Sequence, residues 1–252
     1  MTMQRYFVAK EQMTEQHVQI KGDDIKHILR VMRMDVGDEI ICSNNDSRTV
    51  KCCISSTTDK EIIADIIEEI EPNTELPVHV TIVQGLPKGD KLELIVQKGT
   101  ELGASGFIPY AAERSIVKWD QKKANKKVER LEKIAKEAAE QSYRERIPVV
   151  HNIFSLAHLK KKLTSYDAVI LAYEEIAKSG EQAQLGKTLT ALSPGSSILI
   201  IIGPEGGITE DEAAQLTEAG AIACGFGPRI LRTETASLYA LSVISYHFEL
   251  MR

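Results

Sequence analysis

Two short stretches of this chain carry residues that chemistry needs, at spacings that present them. In the first, "IIGPEGGIT", the apolar run Ile198–Ile202 breaks at Gly203-Pro204-Glu205-Gly206-Gly207. Thr209 and Glu212 follow at capping-box spacing, which predicts a helix starting at Thr209. Strand, glycine turn and helix start is a common way to hold a nucleotide-like ligand. Here, however, Glu205, Glu210, Asp211 and Glu212 surround the turn, and no lysine is near it in sequence. A phosphate in this turn meets four carboxylates. Neither the G-x-x-x-x-G-K-[ST] loop nor the G-x-G-x-x-G fingerprint is present. The loop suits a nucleoside-like ligand held by backbone groups, neutral or positive where it meets the acids, and a sulfonium cofactor fits that description. The plainer alternative is a tight turn whose glycines serve backbone geometry alone.

The second stretch, "FGPRILRTETA", repeats the form: an apolar run, a Gly227-Pro228 break, a loop and a helix. Thr233 or Thr235 is its candidate N-cap, and Ala236, Ala240, Val243 and Ile244 share one apolar face. This loop adds Arg229 and Arg232, which either face a ligand or pair structurally with Glu205 or Glu234. Two such loops fall where ligands bind in parallel α/β sheets, at the carboxyl ends of strands.

The elements that must position these loops follow from the rest of the chain. A proline-bearing hinge, "EEIEPNTELPVHV" with Pro72 and Pro77, divides it. Before the hinge, short β-branched segments ("HVQI", "DEIICS", "TVKCCISS", "EIIADIIEEI"), a turn at "NNDS" and one helical patch, "DDIKHILRVM", predict a small β-rich domain or barrel. After it, the apolar runs "PVHVTIVQGL", "GFIPYAA", "DAVILAY", "ILIIIG" and "AIACGFG" alternate with helical periodicity. One helix is predicted over 121–143, with Val128, Leu131, Ile134, Ala135 and Ala138 on one face. Alternation of this kind predicts an α/β fold with a mostly parallel, doubly covered sheet.

Composition bounds the functional class. The chain has 252 residues, 43% of them hydrophobic and 27% charged, enough for two ordinary domains. No apolar stretch approaches the roughly 20 residues of a membrane span, and "MTMQRYFVAKEQ" has no secretory apolar region, so a cytoplasmic protein is expected. Cys42, Cys52, Cys53 and Cys224 show no C-x-x-C spacing, and the six histidines form no ligand motif, so no metal is expected. Net charge is −5, yet Arg114–Arg146 holds eleven Lys/Arg against six Asp/Glu, including "KKANKK". A local basic face neutralises phosphates whatever the net charge; the alternative is a solvated helix face.

The paired motifs "IIGPEGGIT" and "FGPRILRTETA" resemble the ribosomal small-subunit methyltransferase E family, of the SPOUT class. The resemblance extends to "RYFV", "HILRVMRMDVGDEI", "QKGTELG", "ERS" and "EAAEQSYR". One departure is Tyr143, where many relatives have a small residue. The resemblance implies a PUA-like β-barrel RNA-binding domain over 1–72 and a SPOUT α/β methyltransferase domain with a trefoil knot over 73–252, homodimeric through the knot. It implies methylation at N3 of a uridine in 16S rRNA, with rRNA or the small ribosomal subunit as partner and neither membrane nor metal involved. Alternatives are methylation of another RNA base or of tRNA, and a non-catalytic ribosome-assembly protein.

S-adenosylmethionine is the implied cofactor. Its expected contacts are Leu171, Ala172, Ile202, Gly203, Pro204, Glu205, Gly206, Gly207, Phe226, Gly227, Ile230, Leu231, Arg232, Thr233, Thr235 and Ala236. Loss of the N3 proton puts negative charge on O2, N3 and O4 of uracil. Arg232 and then Arg229 are the candidate donors to those oxygens, with Glu205 or Glu234 as possible proton acceptors. Arg5, Arg30, Arg33, Arg114, Gln141 and Arg144 are the candidate RNA contacts. His27 is assigned either to packing or to RNA.

Overall fold

The computed structural model describes residues 3–71, 73–175 and 184–251. The chain forms two compact units: Met1–Glu75 with Ala139–Ile147, and Leu76–Ala138 with Pro148–Arg252. Among the described residues, no helix is long and apolar enough to cross a membrane.

The first unit is a five-stranded sheet in the order β1-β3-β4-β5-β2, from β1 (Gln4–Phe7), β2 (His17–Ile20), β3 (Glu39–Ser43), β4 (Thr49–Thr57) and β5 (Ile62–Ile70). β1 runs parallel to β3 and the other pairings are antiparallel. Alternation buries Val50, Cys52 and Ile54 of β4 against Ile20, Ile40, Ile62 and Ile28. The patch "DDIKHILRV" is helical as expected, as α1 (Asp23–Lys26) and a π turn over His27–Val31. At the "NNDS" turn, Asn45 takes φ 60° and the Asn44 side chain accepts from the amides of 46, 47 and 48.

The second unit is a six-stranded sheet in the order β11-β9-β10-β6-β7-β8, parallel throughout. Its strands are β6 (His79–Gly85), β7 (Gly106–Tyr110), β8 (Val149–Val150), β9 (Ala168–Ala172), β10 (Ser197–Ile202) and β11 (Ile222–Cys224). Five of the six β10 residues are buried because helices cover both faces, which is why this strand reads as an unbroken apolar run. Each such Ile or Leu contributes about 1.5–3 kcal/mol. The helices are α2 (Lys91–Glu101), α3 (Gln121–Gln141), α4 (Leu156–Leu163), α5 (Gln184–Thr190), α6 (Glu210–Glu218) and α7 (Thr233–Ser245). α3 ends at 141, two residues earlier than its periodicity suggests, and Tyr143 then turns left-handed at φ 60°. A glycine or asparagine is usual at such a position.

Tyr143 belongs to a polar framework inside the first unit. Its carbonyl accepts from Arg5 Nη1 at 2.7 Å and from Thr74 Oγ1 at 2.8 Å, and its ring lies 5.4 Å from the Arg5 guanidinium carbon. Arg5 Nη1 also donates to the Arg144 carbonyl at 2.6 Å. Burial pulls the Arg5 pKa below the ordinary guanidinium value, against the opposing fields of Glu145, Tyr143 and Glu75. Arg144 pairs with Glu75, whose Oε1 also accepts from the Glu145 amide at 2.9 Å. Arg5 and Arg144, expected at RNA, are both buried here: Arg5 Nη1 donates to backbone carbonyls and Arg144 to Glu75 within the unit, while Arg5 Nε is buried without a hydrogen-bond partner.

Candidate functional site

Both glycine loops stand at the carboxyl edge of the parallel sheet. After β10, the backbone folds so tightly that a Cβ on Gly203 would lie 2.8 Å from the Gly207 carbonyl carbon, and Gly207 itself takes φ 72°. α6 then starts as expected. Thr209 accepts from the Glu212 amide at 3.1 Å, and Glu212 Oε2 accepts from the Thr209 amide at 3.1 Å. Glu212 does more than cap. Its buried Oε1 accepts from the Tyr110 hydroxyl at 2.5 Å and from the Glu113 amide at 3.0 Å, tying the end of β7 to the first loop. Burial, and then the bond to Glu212, raise the Tyr110 pKa far above the ordinary phenol value.

The second loop is joined to the first through Gln84, the fully buried penultimate residue of β6. Its Nε2 donates to Thr233 Oγ1 at 2.7 Å and to the carbonyls of Gly85 and Gly203, while its Oε1 accepts from Ser237 Oγ at 2.7 Å. Thr233 Oγ1 in turn donates to the Gly203 carbonyl at 2.6 Å. Neither Thr233 nor Thr235 is the N-cap of α7: Arg232 occupies that position without a side-chain bond, because the Thr233 hydroxyl is committed to the first loop.

Between the loops lies a cavity of about 580 Å³. Ala172, Ile202 to Gly207, Phe226, Gly227, Ile230 to Thr233 and Ala236 line it, so most of the expected cofactor contacts come together. Leu171 does not line it, being packed in the core, and neither does Thr235, exposed on the first turn of α7. Tyr173, Glu174, Glu175, Glu210 and Lys91 were not expected and do line it.

Charge around the cavity is arranged differently from the simplest reading of the sequence. Glu205 and Glu234 pair with Lys91, at 2.9 and 3.3 Å, and not with the arginines. Glu205 Oε1 also accepts from the Lys88 amide at 3.1 Å. Partial burial raises the Glu205 pKa, but the Lys91 hydrogen bond and backbone donors outweigh it, so the net shift is downward. Glu205 is held as an anion and is a weak base. Arg229 and Arg232 are exposed at the cavity and have no ion-pair partner among the described residues.

Lys91 had a signal in the sequence. "VQGLPKGDK" is a third apolar run, Gly/Pro break and helix start, at the end of a strand adjacent to β10. Of the expected RNA contacts, Arg30, Arg33 and Gln141 are exposed on the first unit. Arg114 belongs to the second unit; it lines the cavity and donates to the Gly206 carbonyl at 3.1 Å. His27 accepts or donates at Nδ1 to the Tyr6 hydroxyl, 3.0 Å away, and its ring meets Tyr6 edge-on. Among the described residues, no group of three or more His, Cys, Asp or Glu is placed to hold a metal ion.

The chain is similar to known proteins over nearly its whole length. A family model described as an RNA methyltransferase domain matches residues 74–245, and one described as an RNA methyltransferase PUA domain matches 20–67. The chain is 52% identical to ribosomal RNA small subunit methyltransferase E of Bacillus subtilis, over 99% of each chain. It is 31% identical to the protein of that name from Mycobacterium tuberculosis, over 89% of this chain and 84% of that one. Among solved structures it is similar to ribosomal RNA small subunit methyltransferase E from Neisseria gonorrhoeae bound to S-adenosyl methionine. That similarity has a TM-score of 0.83 and 28% identity, covering 97% of each chain.

Proposed function

Because the chain belongs to the ribosomal RNA small subunit methyltransferase E family, we propose that it uses S-adenosylmethionine to methylate N3 of one uridine in 16S rRNA. The supporting observation is the cavity built from two glycine loops, with two arginines at its edge that have no ion-pair partner among the described residues. Its volume falls within the roughly 300–1,000 Å³ of small-molecule sites. Glu174, Glu175, Glu205 and Glu210 share the lining with Lys91, Arg114, Arg229 and Arg232, so the reading rests on the two glycine loops and not on an excess of either charge. When bound, S-adenosylmethionine supplies a methyl group activated by its sulfonium.

The chain's residues divide the remaining work. Backbone groups of 202–207 and 226–233 hold the nucleoside, and Gln84 keeps the two loops in register. The Arg232 guanidinium, with Arg229 beside it, donates to the uracil oxygens that gain charge as the N3 proton leaves. A planar fork matches two flanking oxygens where an ammonium does not. Glu205 and Glu234 hold Lys91, so the proton passes to solvent. Arg30, Arg33 and Gln141 of the PUA-like unit grip RNA. The PUA-like domain is built on residues 1–72 and the methyltransferase domain on 73–252, which lends the segment Ala139–Ile147 to the first unit, and the protein works in the cytoplasm as a homodimer joined through a trefoil knot.

Nucleoside mass spectrometry of rRNA from cells lacking the protein tests this reading. One N3-methyluridine should be missing from 16S rRNA and return with the wild-type chain. An unchanged nucleoside profile overturns the assignment. Calorimetry should show binding of S-adenosylmethionine and S-adenosylhomocysteine but not of ATP or NAD.

A further inference from the structure

A line of cations leaves the cavity within the second unit. It starts at Arg114, on the cavity wall. The chain then runs without regular structure through exposed Ile116 and Lys118 and half-buried Trp119 to Asp120. Asp120 caps α3 by accepting from the Lys123 amide at 2.7 Å. Arg114 and Lys122 are eight residues apart, so at most about 29 Å of extended chain joins them. Asp120 and the first turns of α3, with Lys122, Lys123, Lys126, Lys127 and Arg130, surround a shallow groove of about 440 Å³. At four-residue spacing, Lys122, Lys126 and Arg130 form one row, with about 6 Å of rise per step.

Only part of this positive charge is taken up by the fold. Glu93 takes Lys127 at 3.5 Å and Arg130 at 2.6 Å. Lys118, Lys122, Lys123 and Lys126 have no carboxylate partner among the described residues. Trp119 is the one tryptophan of the chain, and its ring stacks on no other described side chain. A face that needs only to be hydrated is served by mixed charge. Four lysines without a carboxylate partner, three of them in a groove whose one acid is Asp120, beside a ring that stacks on no described side chain, have the composition of a single-strand nucleic-acid groove, where cations follow phosphates and rings stack bases. A lipid surface fits less well, since it needs an apolar helix face to insert; the Val128, Leu131 and Ala135 face of α3 is buried.

We propose that Arg114, Lys118, Trp119, Lys122 and Lys126 form a track for single-stranded RNA leaving the cavity, with one base stacked on Trp119. The inference rests on the functional reading above, and it extends the substrate from one uridine to the strand that carries it.

Trp119 is its own reporter. The full-length protein is titrated with a short oligouridylate while tryptophan emission is followed, with phosphatidylserine vesicles as a second arm. The expected result is saturable quenching by the oligonucleotide and none by the vesicles. Lys122→Glu/Lys126→Glu should weaken binding at least tenfold and reduce the slope of log affinity against log salt by about 1.4. Trp119→Leu, followed by anisotropy of labelled RNA, should weaken binding roughly 5- to 150-fold. All three substitutions are at exposed or half-buried positions, so melting temperature should be unchanged.

Unchanged emission at saturation, or a double variant with wild-type affinity and salt slope, overturns the track. Equal quenching by vesicles overturns it in favour of a membrane surface. Methyl transfer to rRNA, measured in parallel, separates the two claims. Wild-type methylation with normal RNA binding by the variants sinks the track alone. Binding along the track without methylation of any RNA sinks the functional reading and leaves the track standing.

Discussion

The arginines of the two units meet opposite fates. Arg5 and Arg144 in the first unit are buried and donate to backbone carbonyls and to Glu75. Arg229 and Arg232 in the second are exposed on a cavity wall with no ion-pair partner among the described residues. Their sequence neighbours, Gln4 and Tyr6, Tyr143 and Glu145, Pro228 and Ile230, and Leu231 and Thr233, do not by themselves separate the two fates. The difference is in what the backbone offers. Where a helix end and a left-handed Tyr143 leave carbonyls without donors, arginine is drawn inward to supply them. In the second unit, Lys91 has already neutralised Glu205 and Glu234, and the arginines are left for a ligand.

The largest expected effect comes from the buried side of this comparison. Arg144→Met strands Glu75 and should cost about 3–5 kcal/mol of stability in chemical denaturation, while cofactor affinity of the folded protein stays near normal. A variant as stable as wild type would show that Arg144 is not structural.

Next comes the exposed side. Arg232→Lys should lower single-turnover methyl transfer by roughly 10²–10³, about 2.7–4 kcal/mol, as loss of one oxyanion donor does. Melting temperature and cofactor affinity should hardly change. If both fall together, Arg232 is a structural arginine like Arg144 and the contrast disappears.

A smaller effect is expected at the joint between the loops. Gln84→Leu leaves Thr233 and Ser237 without their buried partner and should cost about 1–3 kcal/mol. Because the lost bonds align the two loops, S-adenosylmethionine affinity measured by calorimetry should fall with stability. Destabilisation with unaltered affinity would confine Gln84 to packing.

The smallest effect concerns Lys91. The Glu205 pKa is depressed below its ordinary 4.5, so the clasp is present at neutral pH and is lost as pH falls through that depressed midpoint. Lys91→Met removes the cation that favours the carboxylate, and the midpoint should rise. Carboxyl-carbon NMR titration of Glu205 checks the direction, and a midpoint that stays put removes Lys91 as the cause.

The helix and strand pattern was largely legible from sequence. Ile198–Ile202 is a buried parallel strand and Thr209 with Glu212 forms a capping box, because both depend on residues close in the chain. The glycine loops were legible for the same reason. The α3 end was read two residues late, since left-handed geometry at a tyrosine carries no local signal.

What the sequence determined by itself is the local alphabet of the site: two glycine turns, their acids, two arginines and a basic helix, each set by short-range sterics and periodicity. What only the tertiary structure decided is which charges meet. Lys91 reaches Glu205 across 114 residues and Gln84 reaches Thr233 across 149. Ion pairing depends on a few ångströms of separation, and strand order sets that separation without leaving a mark in the sequence.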